Sequence, residues 1–522
     1  MSNSSGQSAA GELPESGATP LLVVGIGASA GGIQALQEFF ENVPADSSIA
    51  YVVILHLSPE HESRLASVLQ TVCAIPVTQM VEKVHVEPDH VYVIPPDKHL
   101  TMSDGYIEVS ANISMEERRA PVDIFFRTLA EAKGPRAVCV VLSGTGADGS
   151  MGLKRVKERG GAAFVQSPAE AEWDEMPRNA LATSLVDSVL PIAEIPRRIA
   201  AYKERLGKIE IPLESDQRPE EQQQALREIF TQLRLRTGHD FSSYKRPTLL
   251  RRIERRINVR ALPNLAAYAA LCQTDQGETQ ALLKDLLISV TNFFRDRAAF
   301  EYIDQEIVPR ILKGKKTHDT VRIWVVGCAT GEEAYSLAML CCERTLGVID
   351  APNFQIFATD IDAGAIAKAR EGFYSLNDAA DVSPERLHRF FTKEGDNFRI
   401  KREVRESILF ANHNVLRDPP FSRVDLVSCR NMLIYLDYVA QERVLETMHF
   451  ALSPGGYLFL GTSESMDGVS DLFAPVSREH HIFQSRAVAG RHFPVPHARP
   501  SHDDKPMASS SASATDRGNR GN

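Results

Sequence analysis

Apolar runs alternate with helical spacings along two long stretches of the chain. The first stretch opens with an apolar run at Leu21, and Ile33–Val43 follows with the three- and four-residue spacing of an amphipathic helix. The clearest further strands are four apolar runs, Ala50–Leu55, Val91–Ile94, Ala137–Leu142 and Ala162–Val165. Strands that alternate with helices predict a parallel sheet that is covered on both faces.

The second stretch begins with helices. Between Leu226 and Asp296 apolar residues recur at helical spacing without a β-rich run. From Val321 a buried strand, a glycine-bounded turn and a helix return, and residues 354–362 (FQIFATDID) predict the next strand. The predicted fold class is therefore α/β, with two doubly wound parallel-sheet domains, the second preceded by a helical subdomain.

Composition divides the chain into domains and polar segments. It has 522 residues, 43% of them hydrophobic and 24% charged, which is typical of a globular protein with two or three domains. The predicted segments are a disordered leader (1–20), a first α/β domain (21–206), a polar linker (207–224), a helical subdomain (225–300), a second α/β domain (301–486) and a disordered tail (487–522).

Charge, cysteine spacing and hydropathy exclude several classes of function. The net charge of -10 argues against wholesale nucleic-acid binding. The seven cysteines form no C-x-x-C pair and no cluster with histidine at metal spacing, so we expect no metal site and reduced thiols. No apolar stretch has the length of a membrane span, and we expect a cytoplasmic protein without membrane insertion.

The glycine-rich turn after the first strand admits more than one chemistry. Gly25-x-Gly27-x-x-Ala30 is close to the dinucleotide fingerprint, in which glycines let a pyrophosphate approach a helix N-terminus. The same turn contains Gly27-Ala-Ser29-Ala-Gly31, which fits the G-x-S-x-G turn that exposes a serine nucleophile above a sheet. Glycines that only permit a tight turn are a third interpretation.

Two residues elsewhere favour the serine. His56 ends the strand YVVIL, and Asp148 follows the strand VCVVL. Because the carboxyl ends of parallel strands meet at one edge of a sheet, we expect both side chains near Ser29. An imidazole that takes the serine proton, a carboxylate that orients it, and turn amides that hold an oxyanion make an acyl-transfer site.

Six motifs of this domain resemble, in order, those of the CheB-type chemotaxis methylesterases: GIGASAGG, ILHLSPEHESRLASVL, IPPDKHL, RRAPVDIFFRTLA, LSGTGADGSMGL and EMPRNAL. The resemblance implies that Ser29 is the nucleophile, His56 the base and Asp148 the carboxylate. It also implies hydrolysis of glutamyl methyl esters on receptor helices and deamidation of glutamine. Ala30 stands where the family commonly has threonine.

A basic amphipathic helix is predicted in the helical subdomain. Leu249, Ile253 and Ile257 form its apolar stripe, and the opposite side carries Arg251, Arg252, Arg255, Arg256 and Arg260. A solvated helix face is one interpretation, and docking of an acidic partner helix is the other. On the second interpretation, Arg252 and Arg256 are candidate substrate-binding residues.

The turn after the Val321 strand predicts a different ligand. It lacks both the G-x-G-x-x-G spacing and the lysine of a phosphate-binding loop, which argues against a polyphosphate. The next strand ends in Asp360, and a carboxylate at that position binds ribose hydroxyls. Together these features predict an adenosine-containing ligand such as S-adenosylmethionine.

The motifs of this half resemble those of the CheR-type methyltransferases: VTNFFRD, GCATGEEAYSLAM, FATDID, ANHNVLRDPPF, VDLVSCRNMLIYL and LSPGGYLFLGTSES. The resemblance implies that S-adenosylmethionine lies against Thr291, Arg295, Glu332, Asp360, Asn414, Val415, Cys429 and Arg430. It places Tyr435, with Arg295, near the transferred methyl. Ser289 replaces a common asparagine, and residues 396–410 correspond to a small β-subdomain that in some members grips a receptor tail.

The two resemblances together imply a bifunctional enzyme that methylates glutamates of a methyl-accepting chemoreceptor, or of another signalling protein, and removes the esters. A docking scaffold with one or both halves inactive is the alternative. Methylesterases of this type often carry an N-terminal receiver domain, which the twenty residues before Leu21 cannot form. We therefore expect no gating by phosphorylation within this chain.

Overall fold

The computed structural model describes residues 21–488, except 56–63, 112–119, 210, 215–216, 288–289, 377, 396 and 467. The predicted leader, nearly all of the predicted tail, His56 and Ser289 lie outside the described residues.

The first α/β domain is built on a seven-stranded parallel sheet. Its strands and those of a small neighbouring sheet are β1 Leu22–Ala28, β2 Ile49–Leu55, β3 Val77–Gln79, β4 Val84–His85, β5 His90–Val93, β6 Lys98–Ser103, β7 Tyr106–Ala111, β8 Ala137–Val141, β9 Ala162–Gln166 and β10 Ser188–Leu190. The large sheet has the order β10-β9-β8-β1-β2-β5-β3, and β4-β7-β6 form the small antiparallel sheet. The predicted doubly wound parallel sheet is confirmed.

Helices cover both faces of this sheet: α1 Gly32–Glu41, α2 Leu65–Gln70, α3 Pro121–Lys133, α4 Ser150–Glu158, α5 Glu175–Ala182 and α6 Ile195–Arg205. The glycines of β1 permit close packing of α3 on the sheet. A Cβ atom at Gly27 would come within 2.4 Å of Val122, and one at Gly25 within 2.9 Å of Phe126. The burial of β1 over its whole length follows from helices on both sides.

The helical subdomain contains α7 Glu220–Thr237, α8 Arg246–Val259, α9 Leu265–Thr274 and α10 Gln276–Leu286. The helix α7 begins inside the segment predicted as a linker. Pro219 directly precedes it, and Glu220 and Glu221 stand in its first turn, where acidic side chains favour a helix N-terminus. The polar composition of this segment therefore reflects an exposed helix start as well as a connection.

The second α/β domain has strands β11 Thr320–Val326, β12 Asn353–Asp360, β13 Phe373–Ser375, β14 Phe391–Glu394, β15 Asn397–Ile400, β16 Ile408–Asn412, β17 Val424–Cys429, β18 Leu452–Leu460, β19 Phe473–Ser477 and β20 Ile482–Ser485. Its helices are α11 Arg297–Tyr302, α12 Val308–Leu312, α13 Glu332–Thr345, α14 Ala363–Glu371, α15 Pro384–Phe390, α16 Arg402–Glu406 and α17 Tyr438–Ala451.

The large sheet of this domain has the order β16-β12-β11-β17-β18-β20-β19. Its first five strands are parallel, and β20 and β19 add an antiparallel edge. A small antiparallel sheet of β13, β15 and β14 stands apart from it. The segment predicted as a β-subdomain contributes only β15 to this small sheet, because it continues through α16 into the main-sheet strand β16.

The arginine face of α8 packs against the first α/β domain. Arg252 donates hydrogen bonds to the carbonyls of Lys157 and Glu158, each 2.7 Å long. These carbonyls lie at the C-terminus of α4, where the helix leaves carbonyls without partners and carries a negative partial charge. Arg255 donates from Nε to the carbonyl of Gly161 at 2.7 Å. The guanidinium groups therefore join two domains.

Buried carboxylates complete this interface. Arg255 and Lys157 both pair with Asp187 and Asp285. Burial alone would raise the pKa of Asp187, but the charges of Arg255 and Lys157 outweigh it and hold that pKa below its usual range. Arg256 binds Glu278 of α10, with Nη2 2.6 Å from Oε2. The charged partners of Arg255, Arg256 and Lys157 in this network are therefore carboxylates of the same chain.

The prediction that Arg252 and Arg256 form an accessible substrate-binding face is therefore wrong. Arg252 is 9% exposed and Arg256 is 4% exposed. The acidic partner helix exists, but it is α10 of the same chain, and α4 contributes its carbonyls. Helical periodicity identifies the residues that share a face, whereas the cover of that face depends on tertiary contacts.

Among the described residues, none of the helices is both long and apolar enough to cross a bilayer.

Candidate active sites

Ser29 lies in the turn directly after β1. Its amide donates to the carbonyl of Ser143 at 3.0 Å, and the amide of Gly32 donates to the Ser29 carbonyl at 2.9 Å. Gly31 has a φ of 69°, a left-handed conformation that side chains disfavour. These bonds hold the turn against the loop after β8 and leave Ser29 partly exposed.

The wall around Ser29 comes from distant segments. A Cβ atom at Gly144 would lie 2.9 Å from the Ser29 Cβ and 2.2 Å from the Met176 sulfur, so only glycine fits there. The Ser143 hydroxyl donates to the carbonyl of Ala30 at 3.0 Å and accepts from the amide of Trp173 at 3.0 Å. Ser143 and Trp173 were not predicted as site residues, because their role depends on contacts between loops.

Asp148 is buried at the N-terminus of α3. Its carboxylate accepts from the amides of Val122 at 3.0 Å and Asp123 at 2.9 Å. Burial, with the neighbouring carboxyl of Asp123, raises the pKa of Asp148 well above its usual value. Asp123 in turn accepts from the amide of Gly152 at 2.7 Å, and burial raises its pKa to about 6. The two carboxyls are therefore buried next to each other.

The structure places two members of the predicted acyl-transfer set beyond neighbouring parallel strands. Ser29 follows β1, Asp148 follows β8, and β1 pairs with β8. His56 is outside the described residues. The Ser29 amide already donates to the carbonyl of Ser143, so it is not available to an oxyanion. Other amides of the turn would have to hold the oxyanion.

A cavity of about 1050 Å³, measured out to its open mouth, lies at the carboxyl ends of β11, β12 and β17. Seven of the predicted cofactor and methyl-transfer residues line it: Thr291, Arg295, Asp360, Asn414, Val415, Arg430 and Tyr435. The segment that contains Thr291 and Arg295 therefore meets the ends of three strands at one cavity.

Two predicted cofactor residues, Glu332 and Cys429, are not among the residues that line this cavity. Cys429 is fully buried in the apolar core cluster that also contains Val326 and Leu436, two residues of the cavity wall. Glu333 takes the position that was predicted for Glu332. It accepts from the Ser428 hydroxyl at 2.6 Å and from Arg430 at 3.2 Å. Neighbours on a helix point about 100° apart, so only one of them faces the cavity.

Glu332 faces the domain interface instead. Its carboxylate accepts from the Thr330 hydroxyl at 2.7 and 2.8 Å. Burial is the main cause that raises the pKa of Glu332 to about 7, and the nearby Asp378 adds to it. Asp378 pairs at 3.0 Å with Lys154 of the first α/β domain. The two halves therefore also meet through this acidic group.

Asp360 lines the cavity and also braces its edge. One carboxylate oxygen accepts from the amide of Ala329 at 2.9 Å and the other from the amide of Asp362 at 2.9 Å. Burial raises the pKa of Asp360. Ala329 has a φ of 48°, so this carboxylate holds a strained turn beside the ligand cavity.

Backbone strain also surrounds Arg295. Its two neighbours, Phe294 and Asp296, have φ values of 50° and 64°, although neither is glycine. Such conformations persist only where the surrounding structure holds them, and they concentrate at functional sites. Arg295 donates to the carbonyl of Val290 at 2.7 Å, which keeps its guanidinium along the cavity wall. The motif VTNFFRD contains this segment, but composition alone does not reveal the strain.

Three buried polar atoms of the cavity wall have no hydrogen-bond partner within the described part of the chain: Arg430 Nε, Asn431 Oδ1 and His413 Nδ1. A buried polar atom without a partner costs about 1–3 kcal/mol. A ligand with its own donors and acceptors removes that cost. S-adenosylmethionine, which has ribose hydroxyls, a carboxylate and amines, fits this donor set and the apolar surfaces of Val415 and Met432. Among the described residues, no cluster of three or more metal-ligating side chains is present.

Comparison with family models divides the chain into three matched regions. Residues 24–199 match the CheB methylesterase, residues 224–287 the all-alpha domain of the CheR methyltransferase, and residues 289–482 the S-adenosylmethionine-binding domain of the CheR methyltransferase. All of the predicted cofactor residues that line the cavity lie within the region that matches the S-adenosylmethionine-binding domain.

The chain is also similar to individual proteins and to one solved structure. An uncharacterized 104.1 kDa protein of Rhodobacter capsulatus is 39% identical over 81% of this chain, which spans 46% of that protein. The chemotaxis protein methyltransferase 2 of Pseudomonas aeruginosa is 34% identical over 48% of this chain and 91% of its own length. The crystal structure of the Thermotoga maritima CheB methylesterase catalytic domain is 27% identical over 35% of this chain and 98% of its own, with a TM-score of 0.33.

Proposed function

The chain belongs to the CheB methylesterase and CheR methyltransferase families, joined in one polypeptide, and from this premise we propose that it both writes and removes methyl esters on protein glutamates. The acceptor is a methyl-accepting chemoreceptor or a similar signalling protein. Deamidation of glutamine at the same sites is a further reaction of the esterase half. The single observation that carries the proposal is the cavity at the carboxyl ends of β11, β12 and β17, because seven of the predicted cofactor and methyl-transfer residues line it.

The methyl-transfer half needs residues that orient reactants rather than residues that move protons. When bound, S-adenosylmethionine supplies an electrophilic methyl group. A glutamate acceptor is already ionised near neutral pH, so no general base is required. Arg295 and Tyr435 would orient the acceptor, while Asp360, Asn414 and Arg430 would hold the cofactor. Alignment and exclusion of water then provide the rate acceleration.

The hydrolytic half uses the Ser29 hydroxyl as nucleophile on the ester carbonyl. His56 would take the hydroxyl proton and return it to the departing methanol, and Asp148 would orient the imidazole. The raised pKa of Asp148 is compatible with this role, because an imidazolium nearby favours the ionised carboxylate. Water then hydrolyses the acyl-enzyme by the same proton route.

The proposal is tested by incubating the full chain with methyl-labelled S-adenosylmethionine and the cytoplasmic fragment of a candidate receptor. We expect base-labile label on receptor glutamates, located by mass spectrometry. A chase with unlabelled cofactor should release labelled methanol from the wild-type chain but not from Ser29→Ala.

The two activities also separate the proposal from the scaffold alternative. A scaffold would still bind the receptor. It would release no methanol if the esterase half is inactive, and it would incorporate no label if the methyltransferase half is inactive. Complete absence of base-labile label on every candidate receptor would contradict the methyltransferase half. Methanol release by Ser29→Ala at the wild-type rate would contradict the hydrolytic mechanism.

A further inference from the structure

The first α/β domain places a glutamate in the wall of the methyl-transfer cavity. Glu158 is the last residue of α4, and it lines the same cavity as Arg295, Asp360 and Tyr435. Its side chain is only 16% exposed. A helix-borne glutamate is the kind of acceptor on which the proposed methyltransferase acts, and this inference rests on that proposed function.

Main-chain contacts keep Glu158 at this position. Arg252 of α8 donates to the Glu158 carbonyl at 2.7 Å and to the Lys157 carbonyl at the same distance. The guanidinium is itself buried, so the end of α4 is clamped by a group that solvent does not reach. The backbone of Glu158 is therefore held in place by the methyltransferase half, and this anchors the side chain at the cavity wall.

Glu158 lines the same cavity as Tyr435, the residue predicted to be near the transferred methyl. Burial raises the pKa of Tyr435, and the negative charge of Glu158 is the next largest cause. The amide of Lys245, just before α8, donates to the Tyr435 carbonyl at 2.9 Å. The same helix therefore positions both Tyr435 and the end of α4.

One carboxylate oxygen of Glu158 has a cationic partner. Oε2 accepts from Nη1 of Arg155 at 2.5 Å, and Nη2 of Arg155 pairs with Glu131 at 3.1 Å. Arg155 and Arg295 both line the cleft that joins the two domains beside the cavity. A carboxylate oxygen is the nucleophile that attacks a methyl group.

We propose that Glu158 is itself a methyl acceptor, modified within the same chain by the methyltransferase half. A carboxylate oxygen of Glu158 forms a bond to the methyl carbon of S-adenosylmethionine as the sulfur–carbon bond breaks. The electron pair of that bond stays on sulfur, the products are a glutamyl methyl ester and S-adenosylhomocysteine, and no proton is transferred. The ester is neutral, so its formation removes one of the two charge partners of Arg155.

The test uses the full chain with Ser29→Ala, so that ester is not removed, and methyl-labelled S-adenosylmethionine as the only other reactant. We expect base-labile label on the peptide that contains Glu158. Glu158→Gln in this background should abolish that label. The matched control is Glu131→Gln, which removes the other carboxylate partner of Arg155 outside the cavity and should leave the label in place.

The dependence on protein concentration separates transfer within a chain from transfer between chains. The first-order rate constant should stay constant over an order-of-magnitude dilution, whereas a rate constant that falls in proportion would overturn transfer within the chain. An unlabelled Glu158 peptide, from chains that do label an added receptor fragment, would overturn this inference and leave the proposed function intact. Label on Glu158 without label on the fragment would support the inference and contradict the proposed receptor substrate.

Discussion

The two α/β domains place a glycine turn at the same point of the same architecture, yet the turns differ in what they hold. In the first domain, the turn after β1 carries Ser29 and is tied to the loop after β8 through Ser143. In the second domain, Asp360 from the neighbouring strand accepts a hydrogen bond from the Ala329 amide of the turn after β11. One turn presents a side chain, and the other forms the edge of a cavity.

The buried carboxylates beside the two turns are more alike than the turns themselves. Asp148 and Asp360 each accept two backbone amides, and burial raises the pKa of both. Asp148 stands at a helix start, whereas Asp360 closes a strained turn. The comparison teaches that similar buried carboxylates beyond parallel strands can support different turns, and that the residues of the turn distinguish the two proposed sites.

Removal of the Ser29 hydroxyl should break the comparison most strongly. Ser29→Ala should lower the rate of ester hydrolysis by roughly three or more orders of magnitude, because an activated nucleophile is lost. Methyl transfer should persist, since the cavity of the second domain contains no atom of this turn. Methanol release and label incorporation are measured in parallel. Equal loss of both activities would show that the two sites are not chemically separate.

Disruption of the charge network tests how far the two domains form one unit. Arg255→Ala leaves Asp187 and Asp285 buried with fewer cationic partners, and we expect a loss of about 3–5 kcal/mol in the free energy of unfolding. Arg251→Ala, an exposed neighbour on the same helix, should change it by less than about 0.5 kcal/mol. Urea titration followed by tryptophan fluorescence gives both values. Equal stability of the two variants would mean that the network does not couple the domains.

The Asp360 carboxylate distinguishes ligand binding from support of the turn. Asp360→Ala should weaken S-adenosylmethionine binding by about 1–3 kcal/mol, the scale of hydrogen bonds to a charged group. Asp362→Ala is the control, because its carboxylate caps α14 through the amides of Gly364 and Ala365. Calorimetry measures both affinities. A larger effect of Asp362→Ala than of Asp360→Ala would move the ribose contact to Asp362.

The smallest expected effect concerns pH and Glu332. The folded chain holds the Glu332 proton up to a pKa of about 7, above the usual carboxyl value. Stability from the protonated carboxyl is therefore complete below about pH 4.5 and is lost as the pH rises through about 7. Glu332→Gln should flatten this decline and make the chain more stable than the wild-type chain at about pH 8. The free energy of unfolding is measured by urea titration across this pH range. The same pH dependence in both proteins would contradict the assignment of this decline to Glu332.

The sequence alone predicted seven strands of the two large sheets and the order of the chemistry along the chain; these strands are β1, β2, β5, β8, β9, β11 and β12. Period-2 and period-3.6 patterns are local properties, so the apolar runs predicted both sheets, and the spacing of glycines predicted the turns after β1 and β11. Ser29 and Asp148 stand beyond neighbouring strands because parallel connectivity brings strand ends to one edge. The motif residues Thr291, Arg295 and Tyr435 likewise reach one cavity.

The tertiary structure determined which side chains are covered by other elements and which line a cavity. The arginine pattern of α8 determined a charged helix face, but only the packed chain shows that α4 and α10 cover it. The choice of Glu333 over Glu332 depends on the rotation of α13, which the sequence motif does not specify. The presence of Glu158 beside Tyr435 depends on the docking of two domains, because residues far apart in sequence meet only through long-range packing.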